Sequence, residues 1–163
     1  MEVRIVQFPE TRVAVVEHQG PPSEEHQSIQ KLVAWRRENR LPPSAEHRSY
    51  GLHYNDPFAV PPDEYRVDLC VSVTGPVAPN HFGVVEKVIP AMRCAVARHL
   101  GSRAHVSAAE YLYNTWLPQS DEQMADFPII FHYVNVGPEV TEAEMMTDVY
   151  LPLVRAQRLN CLC

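Results

Sequence analysis

One part of this chain is written twice, and that constrains its fold more than any other feature. The segment Phe8 to Gly20 aligns with Ile89 to Gly101 at a constant spacing of 81 residues. Pro9/Pro90, Arg12/Arg93, Ala14/Ala95, Val15/Val96, His18/His99 and Gly20/Gly101 are identical pairs, and the same spacing carries Trp35 onto Trp116. Further along, Leu52-His53-Tyr54 matches Phe131-His132-Tyr133 at a spacing of 79, and Asp68 matches Asp148 at 80. Such drifts are short differences in loop length within one architecture built twice.

Each copy reads the same way. Arg12 to His18 is Val-rich and follows a proline, as a strand does, and Gly20-Pro21-Pro22 marks a loop. Ser23 is placed to cap a helix with Glu24 and Glu25 in its first turn; Ile29, Leu32, Val33 and Trp35 form its apolar side until Pro42-Pro43. In the second copy Ser107 and Glu110 have capping-box spacing. Ala109, Leu112, Tyr113 and Trp116 follow at i, i+3, i+4 and i+7, with Pro118 as the stop. Strands are expected over Ser49 to Tyr54, Arg66 to Val73, Pro128 to Asn135 and Thr147 to Leu153. In the second of these Val67, Leu69, Val71 and Val73 alternate with polar residues; in the last, Val149, Leu151 and Leu153 face inward while Asp148 and Tyr150 share the other face. The expected fold is α+β, a duplicated strand-helix-strand-strand module. It forms a single domain over residues 1–163, with repeats at about 1–80 and 81–155 and a C-terminal tail at 156–163.

Composition narrows the function. Twenty acids against 14 Lys and Arg leave a net charge of -6, so the cationic field of a nucleic-acid-binding domain is missing. No apolar run reaches membrane-spanning length and the N-terminus lacks signal-peptide regions, so no membrane partner and a cytoplasmic location are expected. Cys70 and Cys94 read as buried strand residues and Cys161 and Cys163 as tail; four cysteines are too few for a secreted disulfide scaffold. The eight His include no i, i+4 helical pair and no HxH pair, so no metal is expected. His18 and His99 end equivalent strands and read as structural caps. Arg36, Arg37 and Arg40 form a short basic face of the first helix, read as solvated and too small for a DNA groove. No nucleophile elbow and no glycine-rich phosphate cradle is present.

Several blocks in order carry a family resemblance: Tyr54-Asn-Asp-Pro followed by Pro61-Pro-Asp-Glu-Tyr-Arg-Val-Asp68, Ile89-Pro90 with Ala95-Val96 and His99, Leu112-Tyr113 with Trp116-Leu-Pro118 and Ser120, and Asp148-Val-Tyr-Leu-Pro-Leu153. From about Val3 to Leu153 the chain resembles the GyrI-like small-molecule-binding domain. That family includes the DNA gyrase inhibitory protein and the effector-binding domains of AraC-type and MerR-type regulators. The resemblance implies two modules about a pseudo-twofold axis with a ligand cleft between them. It implies a standalone binder of lipophilic, cationic drug-like molecules, with no cofactor. Its alternatives are a gyrase-inhibitor-like protein-interaction module, whose partner would be a topoisomerase or a regulator protein, and a hydrolase of reactive natural products. Oligomeric state is left open.

The chain departs from the family pattern at one informative place. The family acid lies two residues before the Tyr of a strand motif, and Phe131 stands there. Phe supplies neither a counter-charge nor a general base, so no catalytic residue is assigned. Asp148 reads first as a solvated strand residue and second as the substitute carboxylate, on the face of Tyr150; an inward His132 is the weaker substitute. The resemblance makes Phe131, Tyr133 and Tyr150 cleft walls, with their repeat equivalents Leu52, Tyr54 and Cys70, and Tyr50, facing the same space. From the residues alone, such aromatics serve equally as buried interface between the modules. Tyr113 and Trp116, on the helical stripe, divide between core and pocket border.

Overall fold

The computed structural model describes residues 1–155; the expected tail, with Cys161 and Cys163, lies outside the described residues. Eight strands form one antiparallel sheet: β1 (Arg4–Phe8), β2 (Thr11–Gln19), β3 (Ser49–His53), β4 (Arg66–Ser72), β5 (Val85–Ile89), β6 (Met92–Leu100), β7 (Ile129–Tyr133) and β8 (Met146–Pro152). Helix α1 spans Glu25–Glu38. The second helical segment is α2 (Ser107–Tyr111), which continues through a π-helical turn at Leu112–Trp116 into α3 (Leu117–Gln119). Each repeat therefore carries one strand more than expected, β1 or β5, ahead of the strand-helix-strand-strand unit. Among the described residues, no helix is long and apolar enough to cross a membrane, and no three His, Cys, Asp or Glu gather as a metal site.

The sheet order β1-β6-β8-β7-β3-β4-β2-β5 interlocks the repeats, because β1 pairs with β6 of the second copy and β5 with β2 of the first. The same order forces a curl. In a flat sheet β1 and β2 would stand six strand spacings apart, about 29 Å at ~4.8 Å each. The step from Phe8 to Thr11 reaches at most about 11 Å. The equally short link from Ile89 to Met92 imposes the same closure from the other end. The inside of the curl is filled by Phe8, Val13, Val15, Tyr50, Leu52, Cys70, Ile89, Cys94 and Ile130.

The helices lie on the outer face. Leu32 and Trp35 of α1 pack on Ala14, Val16, Val67, Leu69 and Val71 of β2 and β4. Ala108 and Leu112 pack on Ala95, Ala97, Val149 and Leu151 of β6 and β8. The two central strands, β3 and β7, are covered mainly at Ile129, which is buried with Ala108 and Leu112. His18 and His99 hold the helices to their strands in equivalent ways. His18 Nε2 faces the carbonyls of Gly20 and Pro21 and Nδ1 meets Ser28 Oγ at 2.8 Å; His99 Nε2 faces the Ser102 carbonyl and Nδ1 meets Ser107 Oγ at 3.1 Å. Since a carbonyl only accepts, Nε2 carries the proton and Nδ1 accepts from the serine. The Ser107 hydroxyl is thereby taken from the expected capping box, and Glu110 turns to His105 instead. Ser23 does not cap α1 either, lying in a one-turn 3-10 helix, Pro22–Glu24, ahead of it.

The ladder registers correct the repeat alignment. Tyr50 pairs with Cys70 and Ile130 with Tyr150, so β3 and β7 correspond at a spacing of 80. Asn55 and Asn135 confirm it: each accepts a backbone N–H through Oδ1, from Arg66 and Met146 respectively. Gly51, Leu52 and His53 thus correspond to Phe131, His132 and Tyr133. The two His-Tyr dipeptides suggest a match one residue out, and in a strand a one-residue slip exchanges the faces. Gly51 also pairs directly with Phe131, so the pseudo-twofold axis passes through that rung. Ile130, fully buried in the curl, tests this core: Ile130→Ala is expected to lower the unfolding free energy by about 2–5 kcal/mol in urea titration. Val88→Ala, on the exposed side of β5, is expected to change it by less than about 0.5 kcal/mol.

Candidate functional site

The outer face of β3 and β7 is the floor of a cleft of about 1480 Å3 between the helices. Ligand pockets commonly hold about 300–1,000 Å3, so a drug-sized molecule fits with room to spare. The odd-numbered residues Ser49, Gly51 and His53 of β3 and Ile129, Phe131 and Tyr133 of β7 face it. Because the strands alternate, Tyr50, Leu52, Ile130 and His132 face the interior of the curl.

Four aromatic candidates reach the cleft. Phe131 stacks on His53 with ring centroids 4.1 Å apart, and Tyr133 stands edge-on to Phe131 at 6.4 Å. Tyr133 leans across the axis over Gly51, where a Cβ would meet its hydroxyl at 2.7 Å. Glycine is needed at position 51 for this close approach, and the symmetric place on the other strand is filled by the Phe131 ring. Tyr133 Oη lies 3.4 Å from His53 Nε2, a long contact between two residues that correspond in the repeat. Tyr54 lines the cleft with its ring on the Arg66 guanidinium at 3.9 Å, while its hydroxyl donates to buried Asp68 at 2.7 Å. Burial, followed by that carboxylate, pushes the Tyr54 hydroxyl up to about 12. Tyr113 lines the opposite wall from the π-helical turn.

The other candidates lie elsewhere. Tyr50 borders the floor, but its ring is 3% exposed and packs against Phe8 and His132 inside the curl. Leu52 belongs to the same inner core, and Tyr150 packs edge-on to Phe8 there. These placements follow from the one-residue register difference. Trp116 packs on the core beneath the second helical segment. Asp148 is on the inner face, held by two hydrogen bonds from Arg98 at 2.8 and 3.0 Å, and is not the cleft carboxylate. Cys70, expected with them, is buried in the inner core.

Glu25 is a cleft carboxylate, with Asp56 and Glu110. From the first turn of α1 it lines the cleft and accepts a 2.6 Å hydrogen bond from Tyr65 Oη. Sequence reasoning spent Glu25 on the helix dipole and read Arg36, Arg37 and Arg40 as solvated. The missed signal is their stripe. Glu25, Ile29, Val33 and Arg36 follow at i, i+4, i+8 and i+11 along one side of α1, and they line the cleft together with Arg40 just past the helix end. Ile29 and Val33 are 42% and 40% exposed there, while Leu32 and Trp35 take the sheet side.

Comparisons with known proteins find relatives over nearly the whole chain. A family model described as the GyrI-like small molecule binding domain matches residues 1–154. A probable transcriptional regulator, YgiV of Escherichia coli (strain K12), is 37% identical over 154 residues, 94% of this chain and 96% of that protein. A DNA gyrase inhibitor of Erwinia billingiae (strain Eb661) is 27% identical over 172 residues, 96% of this chain and 100% of that protein. In structure the chain is similar to the C-terminal domain of EcmrR, with a TM-score of 0.75 at 16% identity, covering 95% of this chain and 98% of that one.

Burial of the His53 ring lowers its pKa to about 4, so imidazole is neutral on the cleft floor near neutral pH. An unfolded chain protonates it near its ordinary 6.5. Between those values the unfolded state holds more protons than the folded one, so this contribution to stability is complete above pH 6.5 and falls away toward pH 4. Unfolding titrations across pH 4–7 are expected to show His53→Gln losing less stability on acidification than the parent protein.

Proposed function

Because the chain belongs to the GyrI-like small-molecule-binding domain family, we propose that it captures a flat, lipophilic, drug-like molecule on the outer face of β3 and β7. The aromatic floor carries this reading. Phe131 stacked on His53, with Tyr133 beside it, offers a half-buried aromatic platform at the symmetry axis, lining the cleft between two helices. Tyr54 and Tyr113 supply walls, and Ile29 and Val33 add exposed apolar surface that a bound ligand would cover. Flat aromatic surface with few polar groups is what a lipophilic ligand needs.

A protein-interaction role is the second reading. Its support is the Erwinia billingiae relative named a DNA gyrase inhibitor, similar over nearly the whole chain. Inhibition of gyrase supercoiling by the purified protein would favour it. The hydrolase reading needs a group free to activate water. The cleft carboxylates Glu25, Asp56 and Glu110 each already accept a hydrogen bond, from Tyr65, the Phe58 backbone N–H and His105, so binding requires fewer assumptions than turnover.

A fluorescence titration with lipophilic dyes tests the binding reading. The expected result is saturable binding that Phe131→Ala weakens about tenfold, the size of one lost aromatic contact. Asp148→Asn, on the inner face, is expected to leave affinity within about twofold. Absence of binding, or equal loss in both variants, would count against the cleft.

A further inference from the structure

The charges of the cleft run opposite to those of the chain. The protein carries -6 overall, yet Arg36, Arg37, Arg40 and Arg103 all line the cleft. Its acids are Glu25, Asp56 and Glu110. Each acid already has a partner within the protein: Tyr65 for Glu25, the Phe58 backbone N–H for Asp56, and His105 for Glu110. The arginines outnumber them, four to three. Among the described residues, Arg12, Arg93 and Arg98 form ion pairs, and none of the four cleft arginines does.

Two of these guanidiniums converge on one rung of the floor. Arg36 donates from Nη1 to Ser49 Oγ at 2.9 Å, and from Nε and Nη2 to the carbonyls of Leu41 and His47. Arg103 lies 5.1 Å over the Tyr133 ring, and Tyr133 is the ladder partner of Ser49. It donates from Nε to Thr147 Oγ1 and from Nη2 to the carbonyls of Asn135 and Met146; its Nη1 makes no hydrogen bond among the described residues. Neutral acceptors hold both side chains in place and leave their charge uncompensated. Arg37 and Arg40, at the C-terminal end of α1, extend the same positive end of the cleft.

We infer that the cleft selects a lipophilic anion: an apolar, aromatic body on the Phe131–His53 floor, with a carboxylate, sulfonate or comparable anionic group toward Arg36 and Arg103. This deepens the binding reading above and rests on it. A guanidinium matches such oxyanions in shape and charge, and a low-dielectric floor strengthens the attraction. A lipophilic cation at the same place would meet four arginines without ion pairs against three carboxylates, each already accepting a hydrogen bond.

Tetraphenylborate and tetraphenylphosphonium share four phenyl groups and differ in the sign of charge, so calorimetric titration with the two probes isolates the inference. Tetraphenylborate is expected to bind at least tenfold more tightly. Arg37→Glu combined with Arg40→Asn changes exposed side chains, and Asn accepts the left-handed backbone at position 40, where φ is 56°. That double variant, its fold checked by circular dichroism, is expected to cut the preference at least threefold, and Arg103→Gln to reduce it further. Equal or tighter binding of tetraphenylphosphonium would overturn the inference while leaving the cleft a ligand site. A borate preference unchanged in the arginine variants would overturn it too, by tracing selectivity to hydrophobicity alone. Binding of neither probe would overturn the binding reading and this one with it.

Discussion

The antiparallel ladder between β3 and β7 joins the two repeats at the centre of the sheet, and its register decides what every neighbouring side chain does. With Gly51 opposite Phe131, the odd-numbered residues of both strands face outward and the even-numbered ones fill the curl. A slip of one residue would put Tyr50, Leu52 and Ile130 into the cleft and Phe131 and Tyr133 into the core. The rung lies on the pseudo-twofold axis, so whatever occupies it is seen by both halves of the molecule. There the halves differ, with an aromatic ring on one strand and no side chain on the other. The Tyr133 hydroxyl uses the space that Gly51 leaves.

Closure follows from chain economy. Links of two residues join strands at opposite ends of the sheet order, and the sheet accommodates them only by curling. Curling gives the inner face a closed core without help from the helices. The helices then pack mainly on the flanking pairs β2/β4 and β6/β8, with only Ile129 of the central pair buried under the second helical segment, so most of the outer face of β3 and β7 lines the cleft. An aromatic face at the axis, lining the cleft, is thus a consequence of how the duplicated unit closes.

Much of this was legible in the residues. The repeat, both helices and six of the strands follow from identical pairs, alternation and proline punctuation. Strands β1 and β5 escaped because only Phe8 and Ile89 are buried in them, and five-residue edge strands with exposed Ile5, Val85 and Val88 carry no clean period. The candidate site was half legible. Tyr54, Tyr113, Phe131 and Tyr133 were named from the resemblance, whereas Tyr50, Leu52 and Tyr150 were misplaced because the shared His-Tyr dipeptide outweighed a spacing that only the hydrogen-bond ladders settle. Glu25 reads as a first-turn helix acid and Arg36, Arg37 and Arg40 as a solvated basic face. A helix side ending in opposite charges, with apolar residues between them, looks like an ordinary surface stripe until a second helix is known to stand across from it.

The central claim is that the outward face of the β3–β7 ladder receives the ligand while the inward face is structural core. Chemical-shift mapping of backbone amides and aromatic side chains during addition of a lipophilic probe tests this most directly. The account predicts saturating shifts centred on Gly51, His53, Phe131 and Tyr133 and extending to Ile29, Val33 and Tyr113. Tyr150 and Cys94, inside the curl, should stay near their free positions. Shifts centred instead on Tyr150, His132 and Asp148, with the Phe131 and Tyr133 rings unmoved, would contradict it.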